Sequence, residues 1–245
     1  MAGRQPEEAD DEADDRLRDL TASPFNPLPV LVWLVILAMT GIELALWLGG
    51  RGLVGGAEAV GWRLEALQCS GFSSGLQLWM LENMRFPALH VTRYLSYPFV
   101  HTGPLHAFFV VILIAALGKT YGEAQGGMRL TLLIFLPPAL GAAVFGQILG
   151  AHETGWLYGG MPMAFGLLGG LTWHRFRIAE SRGDRLRAFG IIGTILLVRL
   201  GFGLTVETGH GWAAEFAAFA IGCGLAAGVA PGRWQALRAR LRQRR

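Results

Sequence analysis

Charged side chains are scarce in this chain. Asp, Glu, Lys and Arg make up 16% of its 245 residues, against about 25% in ordinary soluble domains. With 52% hydrophobic residues, a mean hydropathy of +0.40 and the apolar residues gathered into long runs, this deficit excludes an ordinary soluble domain and points to a polytopic membrane protein. Cysteine is nearly lacking. Cys69 lies in a polar connection and Cys223 deep in the last apolar run, so no disulfide and no metal motif is expected. No basic leader starts the chain, and the first apolar run is too long for a signal-peptide core. No internal repeat is visible, which argues against an inverted-repeat transporter. The net charge of +3 comes mostly from arginines in a few loops. It reads as membrane topology and not as nucleic-acid binding.

Six apolar spans run approximately over 28–49, 99–118, 128–149, 156–174, 187–205 and 211–230. Each is long enough to cross ~30 Å of hydrocarbon at ~1.5 Å per residue. The expected architecture is therefore all-α, a six-helix membrane domain over residues 27–231. Residues 1–26 form an acidic tail around "PEEADDEADD", expected to be disordered, and residues 232–245 form a basic tail. The third span carries Pro137 and Pro138, which should kink it. The connection after span four holds Arg175, Arg177, Arg182, Arg185 and Arg187, and those after spans three and five hold no Arg or Lys. Positive loops stay inside, so both termini are expected in the cytoplasm. Residues 50–98 make one long external connection, with amphipathic stretches bearing Trp62, Trp79 and Phe86. Such a segment suits the membrane interface.

Polar groups inside a membrane are costly, so they are candidates for function. Here they share a depth. His101 and His106 sit at the outer entry to span two, and Glu43 near the outer end of span one. Arg199 is near the outer end of span five and Glu215 near that of span six. One outward cavity could hold them all. Glu215 and Arg199 are candidates for a buried ion pair, with solvation in a wet cavity as the alternative and Glu43 as the other possible partner of Arg199. His101, His106 and Glu215 offer imidazole and carboxylate that suit zinc, but hydrogen-bonded cavity histidines are the plainer reading, and neither metal nor cofactor is expected.

Four stretches then carry a resemblance. "RYLSYPFVHTGPLHAFF", "GKTYGEAQGG", "GGMPMAFGLLGG" and "AAEFAAFAIGCG" occur in order on successive spans. The chain resembles the rhomboid intramembrane serine proteases over roughly residues 90–230. His101 and His106 match the two histidines at the entry to the family's second helix. Gly159, Phe165 and Gly169 match the fourth-helix pattern Gly-x-Ser-x-x-x-(aromatic)-x-x-x-Gly. Ala214 and Gly222 match the sixth-helix pattern Ala-His-x-x-Gly-x-x-x-Gly, with Ala218 in place of its first glycine.

The departures fall where the family's chemistry lies. The serine nucleophile corresponds to Met161, the histidine base to Glu215, and the asparagine of the oxyanion region to Val110; His106 remains of the polar set. A thioether has no proton to lose and cannot form an acyl-enzyme. The resemblance thus implies a proteolytically silent relative, resident with its lipid bilayer in a bacterial inner membrane. Its partners would be transmembrane helices held in a cleft, with no nucleic acid involved. The competing readings are an active intramembrane serine endopeptidase with substituted residues, and an unrelated small transporter or structural membrane protein. Gly166, Gly169 and Gly170 of span four are expected to face Ala214, Ala218 and Gly222 of span six in a close helix contact.

Overall fold

The computed structural model describes residues 28–125, 127–149, 155–190, 193–194 and 210–228. Most of span five, with Arg199, lies outside the described residues, as do both tails, 1–26 and 232–245.

The protein is an all-α membrane protein. Helix α1 (Val30–Gly50) follows Pro29, whose carbonyl accepts from Val32 and Trp33 at 2.8 and 3.1 Å. In lipid a backbone must satisfy its own polar groups, and an unbroken helix does so. The segment after it folds into short pieces: α2 (Trp62–Ser70), β1 (Phe72–Ser73), α3 (Ser74–Glu82), α4 (Ala88–Val91) and α5 (Arg93–Ser96). A 3-10 turn, Tyr97–Phe99, leads to α6 (Pro104–Gln125) and then α7 (Gly127–Leu149). Strand β2 (Trp156–Leu157) precedes α8 (Met161–Ile178), α9 (Arg182–Ala188) and α10 (Trp212–Gly228).

Among the described residues three helices, α1, α6 and α7, are long and apolar enough to cross a membrane. Helix α10 is apolar but shorter, at 17 residues. Helix α8 is 18 residues long and ends on Arg175 and Arg177, placing charge where a helix leaves hydrocarbon. Span boundaries differ from the hydropathy reading mainly at α6, which starts at Pro104 and not at residue 99, and at α8, which starts at Met161 and not at 156. Proline accounts for the first, since it favours the opening turn of a helix. A two-residue antiparallel pairing accounts for the second: Phe72 opposes Leu157 and Ser73 opposes Trp156. Helix α7 stays continuous through Pro137 and Pro138.

The long connection between α1 and α6 is a folded layer. Arg93 donates to the carbonyls of Gln68 and Gly71 at 2.6 and 2.7 Å. Ser73 caps α3 by accepting from Leu76. Gln77 donates to the carbonyl of Ala143 on α7 at 2.9 Å and accepts from the Tyr94 hydroxyl at 2.7 Å. Its outward face keeps Leu53, Val60, Leu64, Phe86 and Leu89 exposed, a composition that suits the interfacial layer of a bilayer.

Helix α8 is the centre. Every residue from Pro162 to Thr172 is buried, as expected of a helix apolar on all sides. Helices α6, α7 and α10 surround it, with α10 in the most extensive contact. Glycine permits this closeness. A Cβ on Gly169 would stand 3.0 Å from the Cys223 nitrogen, and one on Gly222 would stand 2.9 Å from the Gly166 carbonyl carbon. Gly166 also faces α7, where a Cβ would meet Pro137 at 2.5 Å. Gly170 turns away from α10 and toward α7 and α6; a Cβ there would stand 3.2 Å from Tyr121, with Leu133 beside it. Ala214 and Ala218 border Gly141 of α7, and Ala218 also packs with Phe165 and Leu168.

Candidate functional site

The start of α8 is set by local backbone chemistry. Gly159 holds φ at 83°, a left-handed conformation that only glycine adopts at little cost. Gly160 is the N-cap and Met161 the first helical residue, with Pro162 in the first turn. Pro162 has no N–H, and helical N–H groups at this end lack intrahelical partners anyway. The Met161 side chain is half-buried against the cluster that includes Met39, Val110 and Ile114.

Four segments converge here. A Cβ on Gly159 would lie 2.6 Å from His106 Cε1 and 3.1 Å from His101 Cδ2. One on Gly160 would lie 2.8 Å from both Val110 Cγ1 and Met39 Cε. His101, His106 and Val110, read from the entry to span two, therefore stand against the two residues that precede Met161. The two imidazoles meet edge to face with centroids 5.2 Å apart. His101 is fully buried, and its Nε2 accepts from the Gly160 N–H at 3.4 Å. This residue lies in the non-helical approach to α6, where burial, followed by the neighbouring His106, pushes its pKa down to about 4. A neutral ring is what an accepting Nε2 requires, with the proton on Nδ1. His106 Nδ1 lies 3.4 Å from the Thr102 hydroxyl at the exposed mouth. Val110 is wholly buried.

Glu215 reaches the same end of the molecule through Tyr97. The Tyr97 carbonyl accepts from Gly159 N–H at 3.0 Å, and its hydroxyl donates to the Pro138 carbonyl at 2.9 Å. Burial first, and then the Glu215 carboxylate, push the Tyr97 phenol well above its ordinary pKa. Ala213 and Ala214, which precede Glu215, pack with Tyr97, Phe145 and Leu157. Glu215 itself is buried at 4% exposure. Hence α8 and α10 begin at the same end of the bundle, and Tyr97 stands between Gly159 and Glu215. The sequence reading overlooked Tyr97; its position beside Pro98 in "YLSYPF" was the only signal.

Glu43 has a partner that sequence spacing could not supply. Arg63 of α2 grips both of its carboxylate oxygens, at 2.6 and 3.1 Å, and also donates to the His101 carbonyl at 2.9 Å. One guanidinium thus ties α1, the layer between α1 and α6, and the approach to α6 together, and its planar fork is suited to such a bidentate grip. Glu43 is thus held by Arg63, while its proposed pairing with Arg199 falls outside the described residues. Replacing Arg63 by Leu strands a carboxylate that is nearly buried, at 9% side-chain exposure. We expect a loss of about 3 kcal/mol. The double variant Arg63→Leu/Glu43→Gln should recover part of it, measured by thermal unfolding in detergent. Equal losses in both variants would show that the stranded carboxylate carries no penalty of its own.

Chemically, the assembled site offers two imidazoles, a carboxylate, a helix start and a thioether. Among the described residues, no group of three or more His, Cys, Asp or Glu side chains could hold a metal ion. No curated protein matches the sequence. The model of the Rhomboid domain matches residues 88–232, a stretch that contains α6, α7, α8 and α10 and every site residue described above except Met39, Glu43 and Arg63. By that match, and with the motifs brought together at the start of α8, the chain belongs to the rhomboid family.

Proposed function

We propose that this rhomboid-family protein is proteolytically silent and holds transmembrane helices of client proteins within the bilayer, in a cleft between its second and fifth spans. We further propose a bacterial inner-membrane location with both termini in the cytoplasm, from the arginines around α9 and in the C-terminal tail. The observation that carries the reading is the side chain at the first position of α8. Met161 presents a thioether, which cannot be deprotonated to attack a carbonyl. Its surroundings add to the case. Val110 packs over Gly160 with no hydrogen-bond donor, Pro162 removes a main-chain N–H, and a buried carboxylate, Glu215, stands at the position that corresponds to the family's histidine base.

One contact favours the alternative, an active endopeptidase using substituted residues: Thr102 Oγ1 stands beside His106 Nδ1. Full-length protein in liposomes separates the two readings. Under the silent reading, a serine-reactive fluorophosphonate probe leaves the protein unlabelled, and a fluorescent synthetic transmembrane helix binds saturably. Labelling that disappears in Thr102→Ala would establish the active reading instead. Absence of saturable helix binding would remove the client-holding role.

A further inference from the structure

A groove outside the α8 site runs along the bilayer-facing seam between α1 and α6. Thr40, Glu43, Leu44 and Trp47 line it from α1, and Pro104, Ala107, Phe108 and Val111 from α6. It encloses about 370 Å³. Its length follows from helix geometry: from Thr40 to Trp47 is roughly 10 Å at ~1.5 Å per residue. The walls are nearly all carbon, because the one carboxylate among them, Glu43, is turned into its bidentate pair with Arg63. Both helices are long and apolar enough to span a membrane, and Leu44 and Phe108 on the groove walls are exposed, a surface that suits hydrocarbon.

A cation stands at one end. One turn beyond Trp47, the Arg51 guanidinium lies 4.3 Å over the Trp47 ring. It has no carboxylate partner among the described residues, and it caps the C-terminus of α1 in an exposed position. Tryptophan belongs at headgroup depth. Arg51 is therefore an oriented donor at the level of lipid phosphates, directly above an apolar slot. Arg suits phosphate through paired N–H groups.

We propose that this seam is a phospholipid site: Arg51 binds the phosphate of one lipid in the leaflet on the Trp47 side, and the upper part of an acyl chain lies between α1 and α6. The phosphate diester is common to zwitterionic and anionic phospholipids, so the site selects for a phospholipid and not for one headgroup. It is independent of the chemistry at Met161.

The test uses the full chain in detergent micelles, titrated with dioleoyl phosphatidylcholine or dioleoyl phosphatidylglycerol and read by native mass spectrometry. Wild type should retain one lipid of either kind more tightly than the rest. Arg51→Gln should weaken that first binding roughly tenfold, the range of one hydrogen bond to a charged group. Thr40→Trp, at an exposed position on the groove wall, should displace the chain and weaken it comparably, whereas Arg85→Gln on the layer between α1 and α6 should leave it unchanged. Equal retention by wild type, Arg51→Gln and Thr40→Trp would overturn the proposal. So would release of the bound lipid by millimolar inorganic phosphate alone, which would make Arg51 a site for the free anion.

Discussion

Gly222→Leu should destabilise this protein more than any other single change on α10. The glycine lies against the backbone of Gly166, and a Cβ would come within 3.1 Å of its Cα and closer to its carbonyl. Backbone pressed on backbone leaves no flexible side chain to move aside. Overpacking typically costs about 1–3 kcal/mol where side chains can adjust, so we expect at least about 3 kcal/mol here. For a chain of this size that is roughly 6–12 °C in unfolding temperature. Gly224→Leu is the matched control: it is on the same helix with nothing within 4 Å of its Cβ position, and should be near neutral. If both variants unfold with wild type in a detergent thermal scan, the α8–α10 contact is not what holds the bundle together.

The largest effect on activity is expected from restoring reagents at the start of α8. Met161→Ser alone should remain inert, because a serine hydroxyl needs an adjacent base and Glu215 is a buried carboxylate. Glu215→His alone should also remain inert, because it has no nucleophile to serve. Nucleophile and base act as a unit, so only the pair Met161→Ser/Glu215→His should yield cleavage of a transmembrane substrate. Val110 keeps that activity low, since loss of one oxyanion donor costs ~10²–10³ in rate. Adding Val110→Asn should return a comparable factor. Cleavage by either single variant in liposomes would refute the unit.

The start of α8 was readable from sequence because its cues are local: two glycines, then a proline in the first turn. The polar depth pattern was readable too, since membrane cost singles out each such residue by itself. Long-range partnerships were not. Arg63 lies beside Trp62 in an amphipathic stretch of the long connection, where nothing local points to Glu43, 20 residues away. The β1–β2 pair is two residues long on each side, too short to leave an alternating pattern. Gly170 shows a missed periodicity. It stands four residues from Gly166 and shares that residue's α7-facing side, whereas Gly169 falls on the side of α10. Gly166 serves both neighbours because its open Cα faces Pro137 while its carbonyl meets Gly222. Arg199 and most of the fifth span lie outside the described residues.

The central claim is that Met161 stands at a built site without a reagent. Its most direct test compares wild type with Met161→Ala, both full length in liposomes, on a fluorogenic transmembrane substrate. Neither protein should release fluorescence above that of empty liposomes. Cleavage by wild type that vanishes in Met161→Ala would contradict the account at its foundation.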